Sequence, residues 1–395
     1  MAFLSSPSGL GVSMIAILIG AIIFTSKKPK FPIINKHPKD FFRRPANHKY
    51  KIIKRKLLKD GAAKYGENPF NILVPNGVKT ILPPSRVNWA KNNKDLDHQQ
   101  LIRDEYFASY PGFDVQHVLH HPNRMVINMV QGKLSKTDKI LPVMNEHIKA
   151  GLSDIWGEEK CWKTLNWEDG TTGVISRAAA SIFVGLELAA DPEWQRVSRA
   201  YVLDYFRAVV QRRLQEEQEA KVEGSEPPSY YDAIAWTLES PLGNEFESAA
   251  VQLALAMAVL FPLRSSFDRS SLRLPATLHE GDSKTNPIAI DSREMYDPAK
   301  FTNPEEFGAW RFYKRRQAGD NTSLFVQSSP EHAQFGMGKH ICPGRFFAGS
   351  ELKLCLAHII LKYDIRLKEG CLGKPMQFGF LSATDPFTQL EVRRR

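Results

Sequence analysis

Near the C-terminus, the stretch Phe335-Gly336-Met337-Gly338-Lys339-His340-Ile341-Cys342-Pro343-Gly344-Arg345-Phe346-Phe347-Ala348 gathers residue types that can do chemistry. Glycines surround one histidine and one cysteine. Gly336, Gly338 and Gly344 permit backbone conformations and close approaches that a Cβ would block, so main chain can pass tightly around a sulfur and against a flat group. Pro343 holds φ near its helix-start value and Gly344 leaves room in the first turn, which places Cys342 just ahead of a helix N-terminus. Unpaired N–H groups there favour an anion, so the expectation is a thiolate with a depressed pKa, able to ligate a metal. A buried structural cysteine is the bland alternative, because free cysteine is among the most buried residue types.

Such a loop needs a rigid backing. From Ala348 the apolar positions Leu352, Cys355, Ile359 and Tyr363 follow helical spacing, which predicts a long buried helix behind the loop. Upstream, Tyr50 to Asp60 has a helical pattern, and Phe70 to Pro75 reads as a strand. Val78 to Leu82, ended by Pro83 and Pro84, reads as a helix turn or a strand. A loop at Tyr110 to Phe113 precedes His117, His120, His121 and Arg124, which gather before a helix running to about Leu134. These four could hold an anionic group, form a metal patch or sit in a solvated loop. Ser176 to Leu188 reads as a small-residue-rich buried helix, and Asp191-Pro192 opens another carrying Trp194 and Tyr201. Gln211 to Gly224 is strongly charged and then yields to Ser225, Pro227 and Pro228, which reads as an exposed helix end and a loop. Asp364 to Leu367 and Gln377 to Leu381 read as strands, with Leu390 and Val392 after them. The fold class expected is mainly α with small β-sheets.

A chain of 395 residues with 43% apolar content can bury a large core. Its four cysteines, Cys161, Cys342, Cys355 and Cys371, fit neither a disulfide framework nor paired zinc-ligand spacing. The net charge of +10 is concentrated in one arm, since Lys27 to Lys59 carries 13 Lys and Arg against the single acid Asp40. No base-reading or stacking module accompanies that basicity, so nucleic acid is not the expected partner. Residues 1–26 contain no charged side chain and hold a dense apolar run from Leu10 to Thr25, long enough to reach across a hydrocarbon core of roughly 30 Å. Because Lys27, Lys28 and Lys30 follow the run rather than precede it, the expectation is one N-terminal transmembrane helix with everything after it cytosolic. Residues 27–48, broken by Pro29, Pro32 and Pro38, then form a stiff basic hinge that either faces membrane lipid or is merely a solvated charge run.

The pattern Phe335-x-x-Gly338-x-His340-x-Cys342-x-Gly344-x-x-x-Ala348 resembles, position for position, the haem-ligand signature of the cytochrome P-450 monooxygenases. The resemblance implies a haem (heme) cofactor whose iron takes Cys342 as its axial thiolate. It also implies that His340 partners a haem propionate, that Phe335 packs beside the sulfur, and that Gly344 and Ala348 let the following helix lie against the porphyrin. Thiolate ligation favours O–O cleavage. The implied activity is insertion of one oxygen atom from O2 into a small apolar substrate, with electrons from an NADPH-dependent reductase. Phrases at Tyr110 to Phe113, Ser176 to Leu188 and Tyr230 to Trp236 are similar to fungal membrane-bound members that oxidise terpenoid and indole-diterpenoid secondary metabolites. Pro304 to Phe312 resembles the family's meander, in which Arg311 would join an ion-pair cluster; Ala309 replaces an expected proline. The implied location is the endoplasmic reticulum membrane, single-pass, with the haem domain at 49–395 in the cytosol.

Against that pattern the chain is short, with segments missing near 210–211 and 258–270. Phe246 to Val259 starts like the family's central helix, but Phe261-Pro262 ends it, and the acid or alcohol pair that relays protons does not follow. No catalytic residue is therefore assigned. Arg273 fits the family's Glu-x-x-Arg arginine, while Ser270 stands where the glutamate belongs. Losing one partner of a buried charge cluster costs about 3–5 kcal/mol. A second function class follows: a shortened, catalytically inactive relative that binds haem or acts as a membrane-tethered interaction protein.

Overall fold

The computed structural model describes residues 29–36, 56–74, 77–105, 108–111, 113–197, 203–230, 232–239, 276–278, 286–291, 293–304, 306–371, 373, 376–378, 381–383, 385 and 387–395. The apolar run at 1–26, most of the basic hinge, the helix expected at Phe246 to Val259, and Ser270 and Arg273 lie outside them. Among the described residues no helix is long and apolar enough to cross a membrane.

Helical residues 56–65 lead into strands β1 (Phe70–Val74) and β2 (Gly77–Leu82), short helix α1 (Val87–Ala90) and strand β3 (Leu96–Asp97). Helices α2 (His98–Glu105), α3 (Asp114–Leu119), α4 (Met125–Lys133) and α5 (Thr137–Trp156) follow, then β4 (Lys163–Asn166) and α6 (Trp167–Phe183). Next come α7 (Leu186–Ala190), α8 (Pro192–Val197), α9 (Leu203–Glu223) and α10 (Ala233–Leu238). The C-terminal part contains β5 (Ala276–Leu278), β6 (Asn286–Ile290), α11 (Arg311–Gln317), α12 (Arg345–Lys362), β7 (Tyr363–Leu367), β8 (Met376–Phe378), β9 (Leu381–Ala383) and β10 (Gln389–Arg394).

Val78 to Leu82 is a strand. Its hydrogen bonds are made on both sides, antiparallel to β1 and parallel to β6, in a sheet ordered β1-β2-β6-β5-β3. A second sheet is ordered β4-β10-β7, and β8 with β9 forms a two-stranded pair. The strand expected at Gln377 to Leu381 is thus two strands that pair antiparallel, Phe378 opposite Leu381.

The helix expected at Ser176 to Leu188 is also divided. It starts earlier, where the Asn166 side chain accepts the Asp169 N–H at 3.0 Å and acidic residues fill the first turn. It stops at Phe183 because Gly185 takes φ 90°, a conformation that ends the helix before α7 begins. Gly151 lets α5 approach α6 closely, since a Cβ there would stand 3.4 Å from the Val174 Cα. Between these helices and α12 lies the main core, with Met144, Ile148, Trp156, Ala178, Phe183, Phe347, Cys355 and Tyr363 buried. Each fully buried large apolar side chain contributes about 1.5–3 kcal/mol. The Tyr363 hydroxyl donates to the Gly157 carbonyl at 3.0 Å and its ring meets Trp156 at 5.3 Å, which ties β7 to the end of α5.

Gln211 to Gly224 is, as expected, the mostly exposed end of α9, with loop from Ser225 onward, but it carries one buried charge. Arg213 donates twice to Asp232, at 2.8 and 2.7 Å, and both side chains are under a tenth exposed. The Tyr230 ring stacks on the guanidinium at 3.9 Å. This clamp fastens α9 to the start of α10, and Gly185 makes room for it, because a Cβ there would come within 2.7 Å of the Asp232 carboxylate.

Candidate functional site

A second core of Leu82, Val87, Ala90, Leu96, Ile288, Ile290, Ala333 and Met337 lies under the five-stranded sheet. Ala333 and Met337 belong to the approach of the cysteine loop, so the sheet holds that loop from below. The loop then closes on itself. The Cys342 N–H donates to the Phe335 carbonyl at 2.7 Å, and His340 and Ile341 donate back to Met337 and Gly338 at 3.1 and 3.2 Å. The Lys339 N–H donates to the Lys91 carbonyl at 3.0 Å, clipping the loop to the segment between α1 and β3.

The glycines serve this geometry. Gly336 and Gly338 take φ 76° and 58°; a Cβ on Gly338 would lie 2.2 Å from the Lys91 carbonyl, and one on Gly336 would lie 2.6 Å from that of His340. The close approaches at these two positions are therefore to neighbouring main chain. Gly344 is the N-cap of α12, with Val130 of α4 in ordinary contact distance of a Cβ placed there. Ala348 N–H donates to the Gly344 carbonyl, Phe347 packs edge-on against Phe183 at 5.5 Å, and Phe335 packs edge-on against Phe325 at 5.4 Å.

Opposing influences meet at the sulfur. Burial pushes the Cys342 thiol up, while the Gly344 and Arg345 N–H groups and the Arg345 charge pull it down without overcoming burial. His340 is held down to about 4, by burial first and then by His98 and Lys339. Its Nε2 is buried and has no hydrogen-bond partner.

Of the expected histidine group, His117 and His121 meet edge-on with ring centroids 5.1 Å apart. His117 Nδ1 meets the Ala108 carbonyl at 3.2 Å, His120 Nδ1 meets Gln99 Oε1 at 3.0 Å, and Arg124 caps α4 at φ 57°. Among the described residues no group of three His, Cys, Asp or Glu could hold a metal ion, so these side chains are not a metal patch. Arg311 is placed at the head of α11, where its Nη2 donates to the Asn303 and Glu306 carbonyls at 2.7 and 3.0 Å. It braces the meander turn through these two backbone bonds, and the segment around Ser270 and Arg273 expected to complete its cluster lies outside the described residues.

A family model described as Cytochrome P450 matches residues 288–390, the part that carries the loop, α12 and the C-terminal sheets. Over that stretch the chain is similar to the cytochromes P450. Cytochrome P450 monooxygenase adrA of Penicillium rubens is 26% identical over 97% of this chain and 96% of its own length. Cytochrome P450 monooxygenase hepE of Aspergillus oryzae is 26% identical over 98% of this chain and 90% of its own. The retinoic acid-bound cyanobacterial CYP120A1 superposes with TM-score 0.57 at 14% identity, covering 85% of this chain and 94% of that one. The cytochrome P450DA heme domain gives TM-score 0.57 at 15% identity, covering 92% and 97%. These two establish the fold. The adrA alignment runs over 493 positions although this chain has 395 residues, so it opens long gaps in this chain.

The similarity to cytochromes P450 implies a haem with a thiolate ligand, and the residues present fit that group. Cys342 stands at the head of α12 with two N–H groups turned toward the sulfur, and an orphaned imidazole nitrogen lies two residues before it. Two buried groups were missed in the sequence. Glu351 is fully buried on α12 with neither carboxylate oxygen partnered, and burial pushes it well above the usual carboxylate range. Its place between Phe347 and Cys355 on one apolar stripe was a usable signal. The Arg213 to Asp232 clamp had none, because two charges in polar segments announce no pairing.

Proposed function

We propose that this chain is a membrane-anchored haem-thiolate monooxygenase that inserts one oxygen atom from O2 into an apolar secondary metabolite of terpenoid type, using electrons from an NADPH-dependent reductase. The observation that carries the reading is the closed, clipped loop that presents Cys342 at the start of α12. Cys342 would be the iron ligand. His340 would donate to a propionate, Phe335 would shield the sulfur edge, and Gly344 with Ala348 would let α12 lie close beneath the ring. When bound, the haem supplies the oxygen-activating chemistry.

The chain's own residues prepare that site. Cys342 and the two N–H groups after it orient one negative charge, and the loop's hydrogen bonds keep its geometry fixed, so little reorganisation accompanies binding. The apolar run at 1–26 would anchor the chain in the endoplasmic reticulum membrane, with the basic residues at 27–48 against anionic headgroups and the haem domain in the cytosol. Incubation with reductase, NADPH and 18O-labelled O2 against a panel of terpenoid scaffolds tests the activity. A product that gains one labelled oxygen supports it; haem-loaded protein with no product from any scaffold contradicts it.

One observation favours a second reading, a haem-binding relative without turnover. The adrA alignment runs over 493 positions and so opens long gaps in this chain. Segments absent near 210–211 and 258–270 would remove the substrate roof and the proton-relaying pair together.

A further inference from the structure

We infer that residues 31–35 are a strap that caps the open edge of the five-stranded sheet and keeps β1 from pairing with β1 of a second copy of the chain. β1 ends that sheet, and all of its residues are buried. Its free side turns the N–H and C=O groups of Asn71 and Leu73 outward. An apolar edge strand of this kind is a template for another chain. The strap takes every one of these groups. The Asn71 N–H donates to the Pro32 carbonyl at 2.7 Å, and the Ile34 N–H donates to the Asn71 carbonyl at 3.0 Å, around a parallel bridge between Ile33 and Asn71. Beyond that bridge the Asn35 side chain stands in for backbone: its Oδ1 accepts the Leu73 N–H at 2.8 Å and its Nδ2 donates to the Leu73 carbonyl at 2.9 Å.

The strap is built into the fold. Asn35 and Asn71 are buried, and Ile34 packs against the core of Leu57, Phe70, Ile72, Val74 and Ile81. Asn71 Nδ2 donates to the Phe31 carbonyl at 2.8 Å while its Oδ1 accepts the Thr80 hydroxyl at 2.8 Å, so one side chain joins strap, β1 and β2. The strap offers little edge of its own. In a parallel bridge Ile33 turns its N–H and C=O away from β1, but Pro32 before it has no N–H, and the exposed Lys36 follows the bound segment. Without the strap, the outward groups of β1 suit a two-fold partner. Two copies of β1 laid antiparallel about Ile72 set Asn71 opposite Leu73 of the second copy, and each such pair exchanges two N–H to C=O bonds. Strap and second copy therefore compete for the same groups, and the strap prevails because it is part of the same chain and always at hand.

The full chain in detergent gives the test, and the haem reading has no part in it. Parent, Asn35→Ala, and Ile34→Pro combined with Asn35→Ala are compared by sedimentation velocity over a range of concentrations. Circular dichroism checks folding, and hydrogen exchange read by mass spectrometry follows the amides of β1. Asn35→Ala removes both bonds to Leu73, and the double variant also removes the Ile34 donor, while β1 and β2 keep their sequence. Association through the apolar run at 1–26 is common to all three and cancels. The double variant is expected to associate at a concentration roughly tenfold or more below the parent's, the effect of one or two hydrogen bonds withdrawn from the strap. In dilute solution its β1 amides exchange faster than the parent's, and on association their protection returns. Asn35→Ala falls between the two and carries the same comparison where the double variant does not fold. Faster exchange at β1 with association unchanged overturns the inference. Association that leaves β1 unprotected overturns it too, because another surface is then responsible, and so does β1 exchange that is the same in every chain.

Discussion

Glu351 offers a perturbation whose size follows from its surroundings. It is fully buried one turn after Phe347 and one turn before Cys355, and neither of its oxygens has a partner. Burial therefore keeps it protonated in the folded chain. In the unfolded chain it ionises near pH 4.3. Between that pH and the raised folded pKa, the folded state holds one more proton than the unfolded state, so each added pH unit removes about 1.4 kcal/mol of stability. The contribution is fully present below the unfolded pKa and is lost as pH rises. Glu351→Gln deletes this titration at nearly constant volume. Its stability relative to the parent should rise by about 1.4 kcal/mol per pH unit across pH 5 to 7. Glu351→Leu should add about 1–3 kcal/mol at every pH, because it also removes the unmade hydrogen bonds. Urea denaturation of parent and variants at a series of pH values measures the differences, and titrations common to all cancel. A difference that does not change with pH would refute the reasoning, since Glu351 would then be ionised or partnered when folded.

Asp232→Ala should destabilise by about 3–5 kcal/mol because it strands the Arg213 guanidinium in the interior, whereas Arg213→Met with Asp232→Leu should recover most of the loss; thermal melts separate the two. Gly338→Ala must take φ 58° with a Cβ 2.2 Å from the Lys91 carbonyl, so a loss of about 2 kcal/mol or more and poor haem loading are expected by melt and by haem content. Arg311→Ala removes two bonds to backbone carbonyls from a partly exposed site and should cost about 1 kcal/mol in urea titrations, well below the loss of a buried ion pair.

What could be read in the residues tracks how local each signal is. The cysteine loop was legible because Gly338, Pro343 and Gly344 restrict the backbone at their own positions, and α12 because its apolar stripe repeats over five turns. Short apolar runs were not decided by pattern: Val78 to Leu82 is a strand because it pairs with β1 just before it and with β6 more than 200 residues later. Gly185 sits within an apolar run and still ended a helix, since its conformation serves the buried Asp232 beside it. Arg213 and Asp232 stand in polar surroundings 19 residues apart, and only the fold reveals that they meet.

The central claim is that Cys342 is the axial ligand of a haem. Its most direct test is the difference spectrum of the ferrous chain with and without carbon monoxide, for the parent and for Cys342→Ser. The account predicts a strongly red-shifted, thiolate-type Soret band in the parent and its absence in Cys342→Ser. A parent that binds haem and carbon monoxide without that band, or a Cys342→Ser chain that keeps it, would contradict the claim.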